Sequence, residues 1–278
     1  MKLINGFDLM EYARKRGLVL PAFNTTNLEL TYAIAEGLMK AGLPGYIQIS
    51  SNNLRLSNPF IIADIARDAV KNSETPIGLH LDHGKSFSDV KKCVDAGFTS
   101  IMVDMSHLPF EENMKESKKA ADYCHFYGLP VEVELGSLAG KEDDIIGEDG
   151  GKTDPALVEE FVTGTGCDTL AVSVGNVHGF DVEPVIDIPL LKKISEISRV
   201  PIVLHGGSGI PKEIIWECKK YKVIKINYGS DLRRVYIRTI GEAYEKNHGE
   251  YNVIELSLHA VENVSRKVGD LVRTINEY

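Results

Sequence analysis

Three histidines in this chain close apolar, β-branched runs and are each followed at once by glycine: His83, His178 and His205. Three imidazoles with an open fourth position describe a catalytic zinc site, where the metal acts as a Lewis acid on a bound oxygen. One strand-end histidine is ordinarily a hydrogen-bonded structural residue. Three in the same HG context favour the metal reading, because glycine lets the backbone approach whatever the imidazole holds. Carboxylates close or flank other runs. Asp82, beside His83, can shuttle a proton to a substrate oxygen. Asp104 and Glu134 suit a second metal position or the orienting of the histidines. Glu132, on the same face of its run as Glu134, suits a supporting or ion-pair role. Asn24, Ser50 and Asn227 end three further runs. HGGSG at 205–209 and NYGS at 227–230 each place consecutive backbone N–H groups ahead of a helix, the makings of an anion cradle from Gly206, Gly207, Ser208, Asn227, Tyr228, Gly229 and Ser230. His80 and His107 read as supporting or structural, and His125, His248 and His259 as surface residues without partners.

These polar run ends recur roughly every 20 to 40 residues, the interval of a strand followed by a helix. The strand candidates are Val19–Phe23, Tyr46–Ile49, Ile77–Leu81, Ser100–Val103, Val131–Leu135, Thr169–Val174, Ile202–Leu204 and Val223–Ile226. Between them, Leu28–Ala41, Pro59–Val70, Phe87–Ala96, Pro109–Tyr127, Pro155–Thr165, Ile188–Ile197 and Pro211–Lys220 repeat apolar residues at helical spacing, several with proline near the first turn. Runs such as IGLHL and TLAVSV are almost continuously apolar, as parallel strands between a core and a helix layer should be. The expected fold is an α/β, single-domain (β/α)8 TIM barrel covering residues 1–278, whose strand C-terminal ends collect the polar groups into one site. Residues 136–154, GSLAGKEDDIIGEDGGKTD, read as a long acidic loop over that end, either a lid or a solvated loop. Two helical segments, divided near His248–Asn252, complete the chain.

Composition narrows the function. The chain has 278 residues, 43% hydrophobic and 26% charged, with no low-complexity linker dividing it. A net charge of −9 argues against a nucleic-acid partner. A phosphorylated substrate remains compatible, since a metal ion and helix N-termini can make a positive pocket in an acidic protein. Cys93, Cys124, Cys167 and Cys218 are dispersed and read as reduced thiols. The first residues, MKLINGFDLMEYARKRG, alternate charged and apolar residues as a short amphipathic helix, not a signal peptide. No run approaches a membrane span, so the expected setting is cytoplasmic, with no membrane partner.

PAFN at 21–24, HLDHG at 80–84, GFTSIMVDMS at 97–106, VEVELGSLAGKEDD at 131–144, VHG at 177–179, LHGGSGIP at 204–211 and KIN at 225–227 together resemble the class II, metal-dependent fructose-bisphosphate/tagatose-bisphosphate aldolases, in order and along nearly the whole chain. The resemblance implies a TIM barrel, a homodimer or homotetramer, and cleavage of a ketose phosphate to dihydroxyacetone phosphate and an aldehyde. It implies Zn2+ or another divalent metal on His83, His178 and His205, with Asp104 and Glu134 at a second or alternative metal position. Asp82 would exchange a proton with the aldehyde-derived oxygen, and Glu142 would remove the C1 proton of dihydroxyacetone phosphate. Gly179, Gly206 to Ser208 and Asn227 to Ser230 would hold that phosphate near a monovalent cation, with Asn227 also by the enediolate.

The chain departs from the family pattern in places. NYGS has glycine at Gly229 where fructose-type members carry aspartate; FDVEP after Gly179 lacks the usual lysine-containing stretch; SSNNLRLSNP leaves only Ser50 as a phosphate-side candidate; and the glycine-rich C-terminal tail is missing. The expectation from Gly229 is that fructose 1,6-bisphosphate is not strongly favoured over a tagatose-type epimer or another ketose phosphate. The alternatives are a catalytically silent relative that binds sugar phosphates and another TIM-barrel metalloenzyme. Retention of Asp82, Glu142 and all three histidines speaks against a pure binder.

Overall fold

A computed structural model describes residues 2–136, 139–142, 145–147, 151–179, 183–249 and 252–277. Its strands are β1 (Leu20–Asn24), β2 (Gly45–Ser50), β3 (Ile77–Gly84), β4 (Ser100–Val103), β5 (Val131–Leu135), β6 (Ala139–Glu142), β7 (Ile145–Gly147), β8 (Thr169–Val172), β9 (Val177–His178), β10 (Ile202–Leu204) and β11 (Val223–Tyr228). The helices are α1 (Gly6–Arg16), α2 (Leu28–Ala41), α3 (Pro59–Ala69), α4 (Phe87–Ala96), α5 (Phe110–Phe126), α6 (Pro155–Thr165), α7 (Ile188–Ile197), α8 (Lys212–Cys218), α9 (Ser230–Lys246) and α10 (Val253–Asn276). β1, β11, β10, β8, β5, β4, β3 and β2 close in that order into a parallel barrel, as the sequence led us to expect. α10 packs along α2 and α9 and also touches α8 and β1, so it takes the place between α8 and α2 in the helical ring.

Local chemistry sets the element ends. Asn27, Ser86, Asp154 and Asp187 accept hydrogen bonds from first-turn N–H groups, and α2, α4 and α6 stop at glycines in the left-handed conformation. All four cysteines are free and buried. Among the described residues, no helix is long and apolar enough to cross a membrane.

Strand alternation sorts side chains into two cores. Phe23, Ile47, Ile49, Leu79, Leu81, Val131, Val133, Leu170 and Ile226 face the helices. Leu20, Ala22, Tyr46, Met102, Ala171 and Val203 turn inward and, with Leu9 and Ala13 of α1, close the barrel floor. Above that floor the inward side chains become polar. The supposed structureless segment 136–154 contains β6 and β7, an antiparallel hairpin, and β6 also runs parallel to β9. The register Gly140↔His178 attaches this hairpin to the strand that ends in a candidate metal ligand.

Candidate active site

β3 delivers two adjacent residues to one pocket by breaking its own regularity. His80 and Asp82 lie on the inward face, so His83 would point to the helices. Instead His83 has φ 46, and the pairing with β4 slips between Leu81 and Gly84. A non-glycine residue held in this region costs about 1–3 kcal/mol and persists only where its surroundings impose it. Here the imposing groups are visible. His83 Nδ1 lies 2.8 Å from Asp104 Oδ2 and 3.5 Å from Glu134 Oε2. Asp104 is itself held by the N–H and hydroxyl of Ser106.

His205, following β10, faces the same point. Its Nδ1 is 2.8 Å from His83 Nε2, and its Nε2 is 2.8 Å from Glu132 Oε1. Since an ionised carboxylate only accepts, His83 donates from Nδ1 to Asp104 and His205 donates from Nε2 to Glu132. The two remaining nitrogens then present lone pairs to each other, an arrangement that requires a cation or a proton between them. His178, at the end of β9, completes the group: ligand atoms of the three histidines all lie within 4.8 Å of one another. His83, Asp104 and Glu134 form a second such group.

Glu132 takes the ion-pair role that its sequence position suggested, within a buried chain of polar groups. Lys225 Nζ, from β11, donates to Glu132 Oε2 at 2.8 Å, and His80 Nε2 is 3.9 Å from the same oxygen. His80 is fixed in turn by Ser100 Oγ, 2.8 Å from its Nδ1. The signal was present in the sequence: a lysine inside VIKIN and a glutamate inside VEVEL, on strands too apolar to be exposed, must find each other.

Burial and neighbouring charge act on these groups in the metal-free protein. Burial disfavours the charged form of His83, but Asp82, Asp104 and Glu134 outweigh it and raise its pKa well above the ordinary histidine value. Burial, with the charge of His83 adding to it, lowers the pKa of His205. Burial and the charge of Asp104 raise Glu134 far above the usual carboxylate range. Burial opposes ionisation of Glu132 as well, yet Lys225 and the His205 hydrogen bond hold it below that range.

Asp82 is fully buried between two amides. Asn24 Nδ2 donates to one carboxylate oxygen at 2.7 Å, and Asn227 Nδ2 to the other at 2.9 Å. Gln48 Nε2 donates to Asn24 Oδ1 at 2.8 Å, which orients the first amide. Asp82 Oδ1 lies 4.0 Å from His83 Nε2, so the clamped carboxylate borders the histidine cluster. Ser50 pairs in register with Asp82 at the end of β2 and is buried there.

The two glycine-rich turns meet. Gly206 has φ 63, and a Cβ on it would stand 2.1 Å from the Val177 carbonyl, so only glycine lets this turn seat against β9. Asn176, not singled out in the sequence, donates to the carbonyls of His205 and Val172 and so ties the turn to β8. The Asp231 N–H donates to Ser208 Oγ, linking HGGSG to NYGS. Two expectations change here. The Gly207 N–H is already bonded to the Asn227 carbonyl at 2.8 Å and does not point at a ligand. Tyr228, only 1% exposed, packs on Phe23 within the helix-facing core, because strand alternation turns it away from Asn227 and the barrel mouth. Gly179, with φ 86, follows β9, and Gly229 and Ser230 open α9.

Other expectations also resolve. Glu142 ends β6, while its side chain and residues 180–182 lie outside the described residues. His125 is not partnerless: its Nε2 sits 2.8 Å from Asp168. His248 lies 3.8 Å from Glu245.

This arrangement of convergent imidazoles, clamped carboxylate and glycine turns agrees with similarity to known proteins. The fructose-bisphosphate aldolase of Geobacillus stearothermophilus is 35% identical over 256 residues, covering 91% of this chain and 89% of that protein. That of Staphylococcus epidermidis is 34% identical over 258 residues, 91% and 90% of the respective chains. The crystal structure of the YdjI aldolase from Escherichia coli K12 superposes with a TM-score of 0.85 at 26% identity, covering 98% of this chain and 97% of that one. Residues 5–277 match the family described as fructose-bisphosphate aldolase class-II, and the chain belongs to that family.

Proposed function

We propose that the protein reversibly cleaves a ketose phosphate into dihydroxyacetone phosphate and an aldehyde. The observation that carries this reading is the convergence of ring nitrogens from His83, His205 and His178 next to the doubly clamped Asp82. Class II membership implies a divalent metal, and the all-nitrogen donor set suits zinc. Bound by these three residues, the ion would polarise the ketone and take up charge left on that fragment when the carbon–carbon bond breaks.

The remaining roles fall to the chain's own groups. Asp82 takes the proton from the hydroxyl that becomes the aldehyde and returns it during synthesis. Asn24 and Asn227 donate to both its oxygens, fixing the carboxylate's plane and limiting its reach to that hydroxyl. Glu142 exchanges the C1 proton of dihydroxyacetone phosphate. The attachment of β6 to β9 supports this assignment by placing the hairpin beside His178. Asp104 and Glu134 orient His83, a reading favoured over a second metal position by the short Nδ1 contact to Asp104. Gly179, Gly206, Ser208, Gly229 and Ser230 form the cradle for the substrate's phosphate, with Ser50 and Asn227 at its margins. The assembly we propose is a homodimer or homotetramer in the cytoplasm. Exposed Ile237, Val253, Ile254 and Leu258 on α9 and α10 support association.

A coupled assay for dihydroxyacetone phosphate across a panel of ketose phosphates, before and after chelation, tests the activity. Release that is abolished by chelation and restored by zinc is expected. Unaltered turnover in metal-free protein, or hydrolysis to inorganic phosphate in place of a ketone and an aldehyde, would refute it.

A further inference from the structure

Asp82 and His83 are consecutive residues of β3 that must reach one pocket, and strand alternation by itself sends them to opposite faces. The left-handed turn at His83 resolves the conflict, bringing its Nε2 within 4.0 Å of Asp82 Oδ1. Asp104 and Glu134 hold the ring of His83, but the backbone needs its own support. Neither neighbouring strand pairs with residue 83. The register with β2 ends at Ser50↔Asp82, and the register with β4 passes from Leu81↔Ile101 to Gly84↔Val103. A buried N–H and C=O outside the ladder must find other partners.

Side chains supply them. The His83 N–H donates to Met102 Sδ at 3.4 Å, a weak acceptor set in the barrel floor. The His83 carbonyl accepts from Ser51 Oγ at 2.5 Å. Ser51 follows directly on β2, and its own N–H donates to the Asp82 carbonyl at 3.1 Å. One half-buried serine thus grips the peptide before the His83 Cα and the peptide after it. Two soft torsions, φ and ψ of residue 83, separate those planes, so holding both planes fixes the turn. Gly84 lets the chain leave the turn close to β4, since a Cβ there would stand 2.7 Å from the Met102 carbonyl.

We propose that Ser51 is a positioning residue for the metal centre. Its N–H and hydroxyl set the His83 backbone so that this imidazole and the Asp82 carboxylate enter the same pocket. The proposal rests on the metal reading of His83 in the aldolase function above. Alanine at 51 would keep the N–H to Asp82 but lose the hydroxyl. The second peptide would then be released, and the imidazole would keep its direction through ring contacts alone. Threonine would retain the O–H.

The test compares metal-free wild type, Ser51→Ala and Ser51→Thr in zinc calorimetry and urea unfolding, and their cobalt-loaded forms by visible absorption. Ser51→Ala should bind zinc about three- to tenfold more weakly, the worth of one neutral hydrogen bond. Its cobalt bands should shift or change intensity, because they report the geometry of the ligand set. Ser51→Thr should recover most of the affinity and the wild-type spectrum. Wild-type zinc affinity in Ser51→Ala, whatever its urea stability, would overturn the proposal. An unchanged cobalt spectrum in Ser51→Ala, or a Ser51→Thr protein as impaired as Ser51→Ala, would do the same. Wild type that binds zinc but cleaves no ketose phosphate overturns the aldolase reading alone, since affinity and spectrum are read without substrate. Wild type that binds no zinc overturns both.

Discussion

Replacing Lys225 with methionine should be among the most destabilising single changes available inside the barrel. Lys225 and Glu132 are 4% and 2% exposed, and their ion pair is 2.8 Å long. Methionine keeps much of the unbranched stem but leaves the Glu132 carboxylate buried with one imidazole N–H and no cation. Stranding one partner of a buried pair costs about 3–5 kcal/mol. With an unfolding entropy of about 2.1 cal/mol/K per residue, a chain of this length should lose roughly 5–9 °C in melting temperature. The effect should depend on pH with a definite sign. Wild-type Glu132 is held below the usual carboxylate range, so its stabilisation is full above the unfolded-state value near 4.3 and is lost as pH falls through the depressed folded value. In Lys225→Met the stranded carboxylate can instead take up a proton, so the difference between the proteins is greatest near neutrality and shrinks on acidification. Urea denaturation of metal-free protein measures this. Adding Glu132→Gln to Lys225→Met removes the stranded charge and should recover at least half the stability. It should also weaken zinc about 10- to 100-fold, because His205 loses its anionic acceptor. A loss below about 1 kcal/mol in Lys225→Met, or a double variant costing the sum of the singles, would show that the pair does not work as argued.

Other outcomes can be checked separately. His178→Ala and His205→Ala should each leave too few ligands to retain zinc through dialysis, and metal analysis showing full occupancy in either would remove it from the site. Zinc uptake near pH 7 should release a proton, since His83 holds one above its ordinary range; calorimetric enthalpies independent of buffer ionisation heat would contradict this. Glu142→Ala should slow exchange of the C1 proton of dihydroxyacetone phosphate and Asp82→Ala should block carbon–carbon cleavage, each by about 10²–10⁴; exchange at the wild-type rate in Glu142→Ala would reassign the base. Fructose and tagatose 1,6-bisphosphates should be cleaved with kcat/KM values within about tenfold, the worth of one hydrogen bond lost at Gly229, and a hundredfold preference for the fructose epimer would place the choice elsewhere.

The barrel and its polar end were legible because both rest on short-range pattern. Apolar runs bounded by Gly, Pro and Asn specify strands, and HG at three run ends marks places where backbone and ligand approach. Three-dimensional pairing was not legible. Asp82 and His83 are adjacent, and alternation sends them to opposite faces; only the left-handed turn at His83 brings both to one pocket. Asn24 and Asn227 were placed at strand ends, but their joint grip on Asp82 depends on the closure that puts β1 beside β11. Tyr228 and Gly207 were grouped with a phosphate cradle because their neighbours suited it. Parity along β11 buries the Tyr228 ring among the helices, and the Asn227 carbonyl engages the Gly207 N–H.

The same parity explains how the interior can carry so much charge. The floor is apolar, with Leu20, Tyr46, Met102 and Val203 excluding water. Above it Glu132 meets both Lys225 and His205, so one carboxylate balances a buried cation and fixes an imidazole. Asp82, Asp104 and Glu134 follow higher up, each against an amide, hydroxyl or imidazole contact. Without a metal ion, Glu134 is driven toward its neutral form, and His83 must keep a proton to bridge its Nε2 to His205 Nδ1. A divalent ion at the histidines would relieve both at once, so metal affinity and the strain at His83 are linked properties of one layer. The barrel's lower layers hold that arrangement in place before any metal or substrate arrives.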